Sequence, residues 1–245
     1  MKRIVIIGAT SGIGNEVAKI YLEQGCRVGA AGRRQKELEE LKALFPGQVE
    51  IQPLDVTESD APEKLQLLID KLGGMDLFLL SSGVGSQNLQ LDPAIELKTA
   101  STNVDGFIRM VTAAFDYFKK QGGGHLAVIS SIAGTKGLGS APAYSATKRF
   151  QNTYIEALEQ LSYMEKLNIC FTDIRPGFVA TALLKDNTYP MLMMPADVAR
   201  YIVKALKKKQ HVVTIDICYA VLVFFWRMIP RWLWRRLPIK TKHQQ

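Results

Sequence analysis

At 245 residues with 47% hydrophobic content, the chain can bury one substantial core, and no break in composition divides it into two domains. Its formal net charge of +8 would suit nucleic acid, but much of that charge is local: Lys204, Lys207, Lys208, Lys209, Arg227, Arg231, Arg235, Arg236, Lys240 and Lys242 all lie in the last quarter. A basic, aromatic-rich end argues against a base-reading module and points to a membrane surface or a partner.

The apolar run 4–7 reads as a strand buried on both faces. It leads at once into Gly8-Ala9-Thr10-Ser11-Gly12-Ile13-Gly14 and then into the helical pattern Val17, Ile20, Tyr21. In such a strand–turn–helix, Gly8 permits a tight turn, Gly12 lets backbone approach a pyrophosphate and Gly14 allows close helix–strand packing. The helix N-terminus offers unpaired N–H groups to phosphate. A second strand over 27–31 ends in Gly32-Arg33-Arg34. Dinucleotide folds that hold a free ribose diol place an acid at this point; none is present, and Arg33 and Arg34 suit a 2′-phosphate. The competing reading is a solvated basic turn that opens the helix 35–44.

A third strand over 49–54 runs into Asp55-Val56, where Asp55 can cap the helix that follows and ends near Leu72. Leu77-Phe78-Leu79-Leu80 is a fourth buried strand, closing on Ser81-Ser82-Gly83. The next helix contains Asn103-Val104-Asp105-Gly106, and a glycine inside a helix costs roughly 1 kcal/mol, so a local reason is expected there. After Gly122-Gly123-Gly124 comes a fifth strand over 126–130, which leaves Ser131 at the carboxyl edge of the sheet, where open α/β sheets bind ligands.

Residues 134–142 form a loop over that edge, and a helix runs from Tyr144 to about Met164. Tyr144 and Lys148 are four apart on one face of it, so an ammonium there favours phenolate and moves the phenol toward neutral proton exchange. Phe150, Tyr154, Ala157, Leu158 and Leu161 recur at helical spacing as a packing stripe. The sixth strand, 169–174, ends in Arg175-Pro176-Gly177-Phe178-Val179-Ala180-Thr181. Residues 182–194 are irregular and rich in Leu and Met, which reads either as a lid adaptable to apolar ligands or as ordinary core. A helix from Pro195 and a seventh strand over 211–215 complete the pattern.

In this order, the glycine turn, Asn103, Ser131, Tyr144-x-x-x-Lys148 and Pro176-Gly177-x-x-x-Thr181 resemble the short-chain dehydrogenase/reductase family over about residues 1–216. The resemblance implies an α/β, doubly wound Rossmann-type fold with a mostly parallel seven-stranded sheet and helices on both faces. It also implies one oxidoreductase domain over 1–216 and a helical extension over 217–245. Asn103, Ser131, Tyr144 and Lys148 are then the catalytic residues. Tyr144 gives its proton to the developing alkoxide, Ser131 hydrogen-bonds that oxygen, and Lys148 lowers the phenol pKa and holds the ribose. Asn103 kinks its helix and holds a water through which Lys148 reaches solvent.

Cofactor contacts are implied at Gly8, Thr10, Ser11, Gly12, Ile13, Gly14, Arg33, Arg34, Asp55, Val56, Ser82, Gly83, Tyr144, Lys148, Pro176, Gly177, Val179 and Thr181. Of these, Asp55 and Val56 lie against adenine, and Thr181 reaches the nicotinamide carboxamide. The chain departs from the family at Ile7, where many members have Thr, and at Ser11, where many NADPH-using relatives carry a basic residue. Ser81-Ser82-Gly83 stands in place of Asn-Ala-Gly. The expected activity is reversible hydride transfer between NADP(H), with NAD(H) as the alternative cofactor, and an apolar carbonyl or secondary alcohol. A homo-dimer or homo-tetramer through the helix of Tyr144 is expected; a regulatory or scaffold protein of the same fold without turnover is the other reading.

Residues 217–226 are almost wholly apolar, and Arg227-Met228-Ile229-Pro230-Arg231-Trp232-Leu233-Trp234-Arg235-Arg236 mixes Arg with Trp. A spanning helix needs about 20 apolar residues, so this run, bounded by Asp216 and Arg227, reads as a short interfacial amphipathic helix or an intersubunit helix. The N-terminus enters a strand too short for the apolar region of a signal peptide, which places the protein in the cytoplasm or peripherally at the inner face of a membrane. Cys26, Cys170 and Cys218 read as reduced core thiols, and scattered His125, His211 and His243 suggest no metal.

Overall fold

The structure, a computed structural model, describes residues 1–184 and 189–239. Seven strands form one sheet in the order β3-β2-β1-β4-β5-β6-β7, every neighbouring pair parallel. They are β1 (Arg3–Ile7), β2 (Arg27–Gly32), β3 (Val49–Pro53), β4 (Leu77–Leu80), β5 (Gly124–Ile129), β6 (Ile169–Arg175) and β7 (Val212–Thr214). Between them lie α1 (Gly12–Glu23), α2 (Gln35–Leu44), α3 (Ala61–Leu72), α4 (Pro93–Ala100), α5 (Phe107–Gln121), α6 (Pro142–Met164) and α7 (Pro195–Lys207).

Alternation along the strands divides the core in two, because successive side chains point to opposite faces. Ile4 and Ile6 of β1 and Leu77 and Leu79 of β4 pack with Val17 and Tyr21 of α1 and Val198 and Ile202 of α7. Val5, Ile7, Phe78 and Leu80 face the other way, onto Leu65 and Leu68 of α3, Phe107 and Met110 of α5 and Ile155 of α6. The sheet is therefore covered on both sides, as its continuously apolar central strands require. The chain builds outward from β1 to β3, returns to the centre and builds the other way from β4. The order thus reverses between β1 and β4, and at such a point a crevice opens at the strands' carboxyl ends.

Several local expectations change. Asp55 does not cap a helix: its Oδ1 accepts from the N–H and hydroxyl of Thr57 at 3.0 and 2.8 Å, while α3 begins six residues later, after Asp60. Of the thiols, Cys26 is partly buried against the core, Cys170 is partly buried and Cys218 is exposed rather than in the core. The helix of Tyr144 starts two residues earlier, at Pro142, whose fixed φ suits a first turn. Beyond β7 the chain forms two helices rather than one, α8 (Ile217–Met228) and α9 (Arg231–Trp234). Pro230 separates them, having no N–H to continue the first.

Candidate active site

Where β1 ends, Gly8 takes φ +94, and a Cβ on it would stand 2.7 Å from the backbone nitrogen of Ser82 beyond β4. A Cβ on Gly14 would stand 2.3 Å from the Gly8 carbonyl oxygen, so only bare backbone lets α1 close onto β1. Gly12 opens α1 at φ +59, and its neighbour Ile13 turns its side chain into the core. The first N–H groups of α1 therefore sit at the switch-point crevice with no side-chain cap, a geometry suited to an anionic diphosphate.

Arg34 closes one end of this cradle. Its Nη2 donates to Thr10 Oγ1 at 3.0 Å and Ser11 Oγ at 2.6 Å, which places a guanidinium beside two hydroxyls over the glycine turn. Arg34 Nε also lies 3.3 Å from the Glu37 carboxylate. Arg33 makes no contact with the turn's hydroxyls; its side chain is 67% exposed and 3.9 Å from the Asp55 carboxylate. Val56 is buried, and a Cβ on Gly106 would stand 2.6 Å from its side chain, which is the local reason for a glycine in that helix.

The segment Ser101–Gly106 between α4 and α5 is a π-helical turn, a feature that reaims side chains within a continuous helix. It buries Asn103 completely. Asn103 Nδ2 donates to the Val84 carbonyl at 2.7 Å and Oδ1 accepts from the Val84 N–H at 2.9 Å, pinning the strand of chain that follows Ser82 and Gly83. Its own carbonyl accepts from Gln151 Nε2 at 2.9 Å. Gln151 Oε1 in turn accepts from Lys148 Nζ at 3.0 Å, so a buried amide links Lys148 to the Asn103 backbone. Lys148 Nζ also donates to the Ile129 carbonyl at 3.1 Å.

Ser131 follows β5, Tyr144 and Lys148 lie on α6, and the three meet at the carboxyl edge. Tyr144 is packed against Gly85, where a Cβ would stand 2.3 Å from its ring. Burial raises its phenol above the ordinary value, and a hydrogen bond with Ser131 opposes that rise. The ammonium of Lys148 is 5.9 Å from the Tyr144 ring centroid, and burial pushes Lys148 down to about 8, against the pull of Asp173. The phenol is thus raised, with desolvation the largest cause and Ser131 the opposing one.

After β6, Pro176 accepts the Ile132 N–H at its carbonyl, and Gly177 lies flat against the ring of Tyr219, where a Cβ would stand 2.2 Å away. Val179 is buried and bridges to Met193, while the Thr181 methyl would lie 3.2 Å from a Cβ on Gly12. Gly12, Glu16, Ala180, Thr181, Met194 and Pro195 are among the residues lining a cavity of about 540 Å³. The glycine turn, the uncapped N-terminus of α1 and the Arg34 guanidinium suit the phosphates of a dinucleotide. Of the expected irregular stretch 182–194, residues 185–188 lie outside the described residues; Phe178 and Tyr189 stack with centroids 4.7 Å apart.

Reasoning from sequence missed Gln151, Asn152 and Asp173. Asn152 Nδ2 donates to Ser130 Oγ and to Asp173 Oδ2, both at 2.8 Å, and Arg175 Nη2 pairs with Asp173 at 2.6 Å behind Lys148. The signal was available, because Gln151 and Asn152 follow Lys148 by three and four residues on the same helix face.

The short chain dehydrogenase profile matches residues 2–191. An uncharacterized oxidoreductase of Myxococcus xanthus is 36% identical over 194 residues, covering 76% of each chain. One from Staphylococcus aureus is 30% identical over 217 residues, 86% of this chain and 93% of that one. Among solved structures, 3-ketoacyl-(acyl-carrier-protein) reductase from Brucella melitensis complexed with NADH superposes with a TM-score of 0.78 at 22% identity, covering 88% of this chain and 96% of that one. Serine dehydrogenase from Escherichia coli gives 0.74 at 24%, with 87% and 96% covered; both agree in fold. With glycine turn, switch-point crevice and Ser131–Tyr144–Lys148 edge already in place, these matches show that the chain is an oxidoreductase belonging to the short-chain dehydrogenase/reductase family.

Proposed function

We propose that the protein transfers hydride reversibly between NADP(H) and an apolar carbonyl or secondary alcohol. The observation that carries the reading is the convergence of Ser131, Tyr144 and Lys148 on the crevice that begins at the bare N-terminus of α1. The Arg34–Thr10–Ser11 cluster supports the phosphorylated cofactor, since it offers one cation and two hydroxyls where a 2′-phosphate would lie.

When bound, a reduced nicotinamide supplies the hydride. Tyr144 gives its proton to the carbonyl oxygen as that oxygen gains charge, and the raised phenol pKa keeps the proton in place for reduction. Ser131 Oγ donates a hydrogen bond to the same oxygen. Lys148, when charged, stabilises the phenolate that remains, and the Gln151–Asn103 link fixes where its ammonium points. Phe178 and Met193 pack with Ile132, the residue after Ser131, and this apolar surround supports an apolar ligand. The outward side of α6, with Leu161 and Tyr163 exposed, supports a homo-oligomer.

Calorimetric titration with NADPH and NADH, followed by NADPH oxidation against a panel of ketones and aldehydes, tests this. Binding of NADPH with turnover of an apolar carbonyl is the expected result. Failure of both nucleotides to bind would overturn the reading, and tighter NADH binding would overturn the cofactor assignment alone. NADPH bound tightly without turnover favours the scaffold reading.

A further inference from the structure

We infer that the face formed by α8 and α9 docks on anionic lipid bilayers and holds the active-site mouth against the membrane. The two sides of α8 differ sharply. Inward, Tyr219 and Val223 are 1% and 7% exposed and pack on Ile132 beside the catalytic serine. Tyr219 Oη accepts the Phe178 N–H at 3.1 Å and donates to the Met191 carbonyl at 3.0 Å. Outward, Ile217, Phe224, Phe225, Met228 and, on α9, Trp232 are each more than 60% exposed. No helix among the described residues is long and apolar enough to cross a membrane, so this apolar side lies against something rather than through it.

Charge decides what covers it. Arg227, Arg231, Arg235 and Arg236 are exposed, and after Asp216 the sequence contains no Asp or Glu. Among the described residues none of the four pairs with a carboxylate. Two copies of this face brought together would oppose Arg to Arg across an apolar patch with no acid to compensate. A bilayer with anionic headgroups supplies charge at the Arg level and hydrocarbon beneath it, and interleaved Trp and Arg suit that boundary. The Arg236 guanidinium already lies 5.9 Å from the Trp232 ring centroid.

The face is clamped to the cleft rather than hung from it. Trp226 Nε1 donates to Thr135 Oγ1 at 2.8 Å, Lys136 Nζ to the Ile229 carbonyl at 2.7 Å and Trp234 Nε1 to the Gly137 carbonyl at 2.7 Å. All three acceptor or donor partners belong to the segment between Ser131 and Tyr144. A docked face therefore sets the substrate side of the cleft at the lipid surface.

The sequence provides its own probe, since its three tryptophans, Trp226, Trp232 and Trp234, all lie in this segment. Full-length protein is mixed with phosphatidylcholine vesicles or with vesicles that also contain phosphatidylglycerol, and followed by tryptophan emission and co-sedimentation. The expected result is a blue shift and pelleting with the anionic vesicles only, both weakened by high salt. Each Arg→Gln change among the four should weaken partition about fivefold. The Phe224→Ser/Phe225→Ser pair should abolish the blue shift while leaving the melting transition in place. Absence of binding to anionic vesicles, or equal binding to both kinds, would overturn the proposal. So would a Phe224→Ser/Phe225→Ser variant that changes mass in light scattering and leaves vesicle binding intact, which would assign the face to a second copy. Turnover is not measured, so this test and that of the proposed reaction fail separately.

Discussion

Around β1 and β2 the cleft is walled by backbone, whereas around β5 and β6 it is walled by side chains drawn from distant parts of the chain. At Gly8 and Gly14 the space left is too small for a single methyl, because the contacts facing it are main-chain atoms that cannot step aside. On the other side Ser131 after β5, Tyr144, Lys148 and Gln151 of α6 and Tyr219 of α8 come from three segments and meet through hydrogen bonds and burial. The first kind of wall suits a diphosphate but offers no group to move a proton. The second holds the groups that the proposed reaction uses, and single side-chain changes can tune it.

The comparison breaks most visibly at Tyr144. Tyr144→Phe should lower kcat about 10²–10⁴-fold while nucleotide affinity, set by the backbone wall, stays unchanged. Steady-state kinetics with calorimetry checks both halves of that statement, and a matching loss of affinity would mean the two walls are not separable.

Arg34 adds a cation to the backbone wall, and its removal should be felt next. Arg34→Ala is expected to weaken NADPH by roughly 10- to 150-fold, from about 1.5–3 kcal/mol for a charge-assisted contact, with NADH nearly unaffected. Arg33→Ala should do less, since Arg33 is largely exposed and faces Asp55. Equal losses of both nucleotides in the Arg34 variant would assign that guanidinium to holding the Thr10–Ser11 turn.

A pH profile sharpens the chemistry of the side-chain wall. Lys148 titrates near 8, depressed by burial, so it is charged below that pH and neutral above it. The kcat/KM for NADPH, which reports the free enzyme, should therefore fall as pH rises through about 8, by about tenfold per unit beyond it. Lys148→Met should lose this limb. A profile flat to pH 10 in the native enzyme would show that the charge on Lys148 is not required.

The smallest effect is expected where the tail meets the site. Trp226→Phe removes the hydrogen bond to Thr135 and should cost about 1 kcal/mol in a urea titration. No change would mean that α8 is held without this hydrogen bond.

The strands, the glycine turn and the Tyr144–Lys148 spacing were legible because each is local. An apolar run, a positive-φ turn and an i,i+4 pair announce themselves within a few residues. The order of the sheet also follows from the alternation of strands and helices, once the resemblance is recognised. Gln151 was not picked out, because its partners Lys148 and Asn103 meet it only after α6 packs on the π-turn.

By itself the sequence determined the α/β pattern, the bare backbone at Gly8, Gly12 and Gly14, and the basic, aromatic composition after Asp216. Only the tertiary structure decided which arginine faces the glycine turn, the direction of the Tyr144 pKa and the attachment of α8 to the segment between Ser131 and Tyr144. The reason is the same in each case. Guanidinium reach, desolvation and the choice between an inward Tyr219 and an outward Phe224 depend on which atoms surround a side chain, and those atoms come from residues tens to hundreds of positions away.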